Sequence, residues 1–236
     1  MNEISASGAV ALTGSIEVGI RSYLSTHHLY ASRYAAEDAQ AREESLLREG
    51  VRFDMRHRGL VLMAVTEAAF FLEAAINEIF QDVADGNILP FGSLDDDCRG
   101  KMSDWWENAE KGRSCGTLDK YNAALKAAGK NELSAGAEPY QSAKHLVKLR
   151  NSLVHYKPET LYKVSRRWNV YLKYFAPNAL MSDSELSFPD KVLGAGCADW
   201  AWRSAKAVTD EFAKRFGITM NYQQVGFDSS SLRGGK

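Results

Sequence analysis

Between Leu60 and Phe80 the chain is apolar on nearly every side of a helix, and no other stretch constrains the fold as strongly. Leu62, Val65, Ala69, Leu72, Ile76, Ile79 and Val83 recur at three- and four-residue spacing, the pattern of a core seam. Ala68, Phe70, Phe71, Ala75 and Phe80 carry the apolar surface round the remaining sides, so the spacing predicts one long helix from about Phe53 to Asp85. Such a helix belongs at the centre of a bundle or at a subunit interface. Glu67, Glu73, Asn77 and Glu78 interrupt it, which argues for a buried core helix and against a membrane span. Carboxylates in that setting need partners.

The rest of the chain reads as further helices. One is expected over Ile16–Arg48, with Tyr23, His27, Tyr30 and Tyr34 at helical spacing and Gly50 as its stop. Asp95 to Asp97 read as an acidic helix start, continued by MSDWWENAE. Thr117–Ala128 follows, then Ser134–Tyr156, where Pro158 opposes continuation. Leu161–Phe175 and Val192–Phe216 complete the set, the last one with Gly217 as its C-terminal signal. No hairpin signal or repeat competes with this all-α reading. The expected division is an N-terminal helical extension over 1–52, a helical domain over 53–216 and a disordered tail over 217–236.

Charge and motifs exclude several function classes. With 29 Lys and Arg against 30 Asp and Glu, the chain has no global basic signature, so any nucleic-acid site must be local. Cys98, Cys115 and Cys197 form no CxxC pair and read as reduced thiols of a cytoplasmic protein. The first residues show neither the basic nor the apolar region of a signal peptide. His27 and His28 are adjacent, so on a helix they point about 100° apart and do not form a metal-binding i, i+4 pair. The acidic run at Asp95–Asp97 lacks the ligand spacing of a calcium loop. Gly-rich phosphate loops, the dinucleotide fingerprint and the GxSxG elbow are missing. No metal and no cofactor are therefore expected.

Chemistry concentrates in SAKHLVKLRNSLVHYKPE. On a helical wheel Lys144, Lys148, Asn151 and His155 share a polar face, while Ala143, Leu146, Val147, Leu153 and Val154 lie opposite. Arg150 falls in the middle of the apolar side. A guanidinium there must pair with a carboxylate, with Glu67, Glu73 and Glu78 as candidates, or face a cleft or interface open to water and anions. His155 is four residues from Asn151, which places an amide within reach of the ring. Downstream, Lys157, Lys163, Arg166, Arg167 and Lys173 interleave with Tyr156, Tyr162, Trp168 and Tyr171. That pattern suits a single-stranded nucleic-acid surface. It equally suits an ordinary amphipathic helix packed by aromatics.

The segment Arg150-Asn151-Ser152-Leu153-Val154-His155 resembles the R-x4–6-H motif of the HEPN superfamily, in its form with a polar residue straight after the Arg. The helix AVTEAAFFLEAAINEIF is similar to the early core helix of the same domains, and the likeness spans roughly Phe53 to Phe216. The resemblance implies an up-and-down helical bundle that dimerises, with motif residues of two subunits meeting in a cleft. It also implies metal-independent endoribonuclease activity of the kind used by toxins of toxin–antitoxin and phage-defence systems, with RNA as substrate and an antitoxin or other protein as partner. Arg150 would then hold the scissile phosphate, His155 would act as general acid or base, and Asn151 would orient His155 or the phosphate. Lys148, Lys157, Arg166 and Arg167 would bind substrate, with Glu67 and Glu73 supporting Arg150. Two alternatives stand beside it: a non-catalytic module that binds nucleotide, RNA or protein, and a salt-bridged Arg150 with no chemistry at all. On an ideal helix Arg150 and His155 diverge by about 140°, which favours a composite site at a dimer interface.

Overall fold

A computed structural model describes residues 21–87, 94–110, 115–157, 166–181 and 189–225. Every regular element among them is helical, as the apolar spacing predicts. The long apolar helix, α2 (Met55–Ala84), is the centre of the molecule. Before it comes α1 (Ser25–Arg48); after it come α3 (Asp96–Glu110), α4 (Thr117–Ala127), α5 (Tyr140–Val154), α6 (Ala195–Phe216) and a single turn, α7 (Asn221–Gln224). All of α1, α3, α4, α5 and α6 pack against α2. Its length and composition would let α2 cross a membrane, yet half of its most apolar window is buried inside the protein.

The packing follows from the sequence seam. Val65, Ala69, Leu72, Ile76, Ile79 and Val83 are buried, and Leu62 packs at the edge of the same core. From α6, Ala201, Ala205, Val208, Phe212 and Phe216 face them. Tyr121 of α4 is fully buried, edge-on to Phe212, and its hydroxyl donates to the Leu72 carbonyl at 2.9 Å. Phe80 stacks on Trp105 and Trp106 of α3. Leu29, Ala35, Ala36 and Ala39 of α1 belong to this same core, so the described part of the N-terminal extension is packed with the remaining helices.

Helix ends show how local chemistry sets the boundaries. Asp54 caps α2 by accepting the His57 N–H at 2.7 Å. The Glu78 carboxylate, reaching across from α2, accepts the N–H groups of Leu24 and Ser25 at 2.7 and 2.8 Å and so satisfies the start of α1. Gly50 and Gly217 follow α1 and α6 with φ of 70° and 87°, a left-handed turn that glycine adopts without a Cβ clash.

Several details differ from the sequence reading. The described part of α1 begins at Ser25, and residues up to 20 lie outside the described chain. Helix α5 begins at Tyr140 and not near Ser134, because Pro139 disfavours helical backbone at Glu138. Where an α-helix is expected over Leu161–Phe175, the described part is a 3₁₀ helix, Arg166–Lys173. Three residues per turn suits this segment, since Tyr171 and Tyr174 both meet His145 and Trp200. Finally, the start of the expected tail is ordered: Tyr222 is buried edge-on to Phe71, and its hydroxyl donates to Asp210 at 2.6 Å. Residues 226–236 lie outside the described chain.

Candidate functional site

Helix α5 presents its residues much as the wheel predicts. Ala143 and Leu146 are buried, Val147 and Leu153 are partly buried, and Lys144, Lys148 and Asn151 are exposed; Leu149, not assigned to the apolar side, is also buried, and Val154, assigned to it, is exposed at the helix end. Arg150 lies between them, half-buried. Its Nη1 donates to the Asn151 Oδ1 at 2.9 Å, and its Cζ stands 5.8 Å from the centre of the Phe70 ring. The Nε is shielded from solvent and has no hydrogen-bond acceptor among the described residues.

The carboxylates expected to neutralise Arg150 bond elsewhere. Glu67 takes the Nδ1 of His28 at 2.6 Å. Glu73 takes Thr117 and Lys120, and Lys120 also donates to Asn77 at 2.8 Å. Burial raises the Glu73 pKa, but the hydrogen bonds from Lys120 and Thr117 outweigh it and hold the carboxyl below its ordinary value. Glu78 is committed to the start of α1. The reason is placement: these side chains leave α2 toward α1 and α4, where N–H, imidazole and ammonium donors already wait. Among the described residues no carboxylate pairs with Arg150.

His155 is the C-cap of α5 and is exposed. Its backbone N–H donates to the Asn151 carbonyl at 3.0 Å. The Asn151 Oδ1 accepts from Arg150, and no side-chain hydrogen bond joins Asn151 to His155 among the described residues. No hydrogen bond joins Arg150 to His155; the contacts of the guanidinium are with Asn151 and Phe70. Lys148 and Lys157 are exposed close by, while the side chains of Arg166 and Arg167 lie outside the described residues. Tyr171, Tyr174 and Phe175, further along, serve the core: Tyr171 and Phe175 are buried, and Tyr174 stacks on Trp200. For that part of the segment the packing reading holds.

Phe70 adds something that periodicity does not reveal. It was expected among the all-round apolar residues of α2, yet it is 41% exposed. On one side it carries Arg150; on another the His28 ring meets it edge-on, with centroids 5.7 Å apart. Glu67, one turn before Phe70, fixes that imidazole. The signal available in the sequence was Glu67 itself, a carboxylate on an apolar helix in need of a partner.

No family model, no curated protein and no solved structure matches this chain. Its function must therefore be read from the site. Burial raises the thiol pKa of Cys98, Cys115 and Cys197, which leaves no activated thiolate among them. No cluster of three or more metal-ligating side chains occurs among the described residues.

Proposed function

We propose that this protein is an RNA-cleaving enzyme of the HEPN kind, acting as a cytoplasmic toxin or defence effector and working as a homodimer. One observation carries the reading. Arg150 is a cation that no carboxylate among the described residues neutralises, preset by Asn151 and lying on a partly exposed ring, five positions before an exposed imidazole. A guanidinium fork matches phosphate oxygens, and an imidazole exchanges protons near neutral pH.

In this reaction Arg150 binds the scissile phosphate and stabilises the charge that builds on its oxygens. A base takes the proton of the ribose 2′-hydroxyl, and the O2′ attacks phosphorus. The bond to O5′ breaks, and O5′ takes up a proton. The products are a 2′,3′-cyclic phosphate and a 5′-hydroxyl. His155 serves as acid or base, reaching the phosphate held by the partner subunit's motif. Lys148 and Lys157 supply positive charge along the strand, as do Arg166 and Arg167 by their place in the sequence. An antitoxin that covers the motif helix is the partner such an activity needs.

The test is incubation of purified protein with RNA, with and without EDTA. Cleavage that survives EDTA, leaves cyclic phosphate ends, spares DNA and falls about 10²–10⁴-fold in His155→Ala is the expected result. Cleavage abolished by EDTA, or unchanged in folded His155→Ala, overturns the mechanism. A second reading, binding of RNA or nucleotide without cleavage, draws on one specific observation: the guanidinium of Arg150 is engaged by Asn151 and Phe70, with no hydrogen bond to His155. Folded protein that binds RNA but never cleaves it establishes that reading instead.

A further inference from the structure

Three helices contribute to the surroundings of Phe70. His28 comes from α1, Glu67 and Phe70 from α2, and Arg150 with Asn151 from α5. Around one ring stand an imidazole held by a carboxylate and a guanidinium that no described carboxylate pairs. The His28 and Glu67 side chains are 27% and 23% exposed, so the group lies at the surface and not within the core. His27, the neighbouring imidazole, is turned away and bonds the Tyr23 carbonyl through its Nδ1.

Each member has a distinct capacity. A carboxylate only accepts, so Glu67 requires the hydrogen on Nδ1 of His28. That leaves Nε2, which bonds no described residue, as the working atom of the ring. The exposed part of Phe70 is a surface on which a base can stack. Arg150 is a phosphate fork whose orientation Asn151 fixes. Ring, guanidinium and imidazole are the complements of a nucleotide's base, phosphate and sugar-phosphate edge.

We propose that His28, Glu67 and Phe70 complete a ribonucleotide-binding subsite with Arg150 inside one chain. Phe70 stacks the base, Arg150 holds the phosphate, and the Nε2 of His28 hydrogen-bonds the nucleotide. Glu67 is a positioning residue that acts through His28. This rests on the reading of Arg150 as an RNA-phosphate ligand, and it places the strand across the junction of α1, α2 and α5.

Fluorescence anisotropy of a labelled short 2′-O-methyl oligouridylate tests it, because that probe has no free 2′-hydroxyl and cannot be cleaved. Phe70→Ala should weaken binding about tenfold, the loss typical of one stacked base, while Phe70→Trp should retain it. His28→Ala should cost about two- to tenfold, the worth of one hydrogen bond. Glu67→Ala should match it, and Glu67→Gln, which can still accept from Nδ1, should restore affinity. His27→Ala should bind like the wild type. Thermal melts establish that each variant is folded. Folded Phe70→Ala and His28→Ala proteins that bind like the wild type overturn the subsite, and so does a wild type that does not bind the probe. Tight binding lost in these variants, with no cleavage of ordinary RNA, sustains the subsite and removes the nuclease. Cleavage of RNA that is indifferent to Phe70→Ala and His28→Ala does the reverse.

Discussion

Glu43 accepts the backbone N–H of Ala195 at 2.9 Å, tying α1 to the first turn of α6 across 152 positions of sequence. The same carboxylate oxygen lies 3.0 Å from the Nε2 of His57, but not in hydrogen-bond alignment, since that nitrogen has no directed partner. Both side chains are buried, at 7% and 2% exposure. The start of α6 has no side-chain cap of its own, so Glu43 supplies it.

Removing that carboxylate leaves the buried N–H of Ala195 without its acceptor. Glu43→Ala should therefore cost about 1–3 kcal/mol, the usual penalty for orphaning a buried polar group. Glu43→Gln, which keeps an acceptor, should cost less. Urea denaturation measures both, and equal stability of Glu43→Ala and wild type would contradict the role.

Acid should weaken the start of α2. The Arg42 guanidinium, and then the His57 N–H, hold the Asp54 carboxyl down at about 2, below its ordinary 3.8. A carboxylate with a lowered folded-state pKa contributes stability above its ordinary pKa and loses it as pH falls through the folded value. The Tm gap between wild type and Asp54→Ala should be widest near neutral pH and shrink from pH 3.8 toward about 2. A gap that stays constant over that range refutes the charge contribution.

Arg150→Ala should fold normally. Because no described carboxylate depends on Arg150, no buried charge is stranded by its removal. The loss is confined to contact with Phe70 and Asn151, worth about 0.5–2 kcal/mol for a half-buried cation on a ring. A destabilisation of several kcal/mol in a thermal or chemical melt would mean that Arg150 is structural. Activity lost together with retained stability is the expected pairing.

Self-association should involve the open faces of α2 and α5. Met63 on α2, and Val154 and Tyr156 at the end of α5, are large apolar groups left exposed at 44–58%. Light scattering should give a dimer mass at micromolar protein, and Met63→Glu with Val154→Glu should shift it to monomer. A wild type that is monomeric under those conditions removes the dimer and the composite site together.

The sequence by itself determined the helices, the centrality of α2 and most of their ends. Those features rest on local rules: three–four apolar spacing puts Val65, Leu72 and Ile79 on one buried side, and Gly50 and Gly217 stop helices wherever they stand. The oddity of Arg150 was legible too, as a charge on an apolar face. Its partners were not, because periodicity tells which side of a helix a residue faces and not which helix it meets there. Tertiary packing sent Glu67 to His28, Glu73 to Lys120 and Glu78 to the start of α1, and left Arg150 on Phe70. Packing also exposed Phe70 within a helix that reads as apolar all round, and buried Tyr222 in a stretch that reads as tail. Such contacts join residues tens of positions apart, and only the relative placement of α1, α2 and α5 decides them.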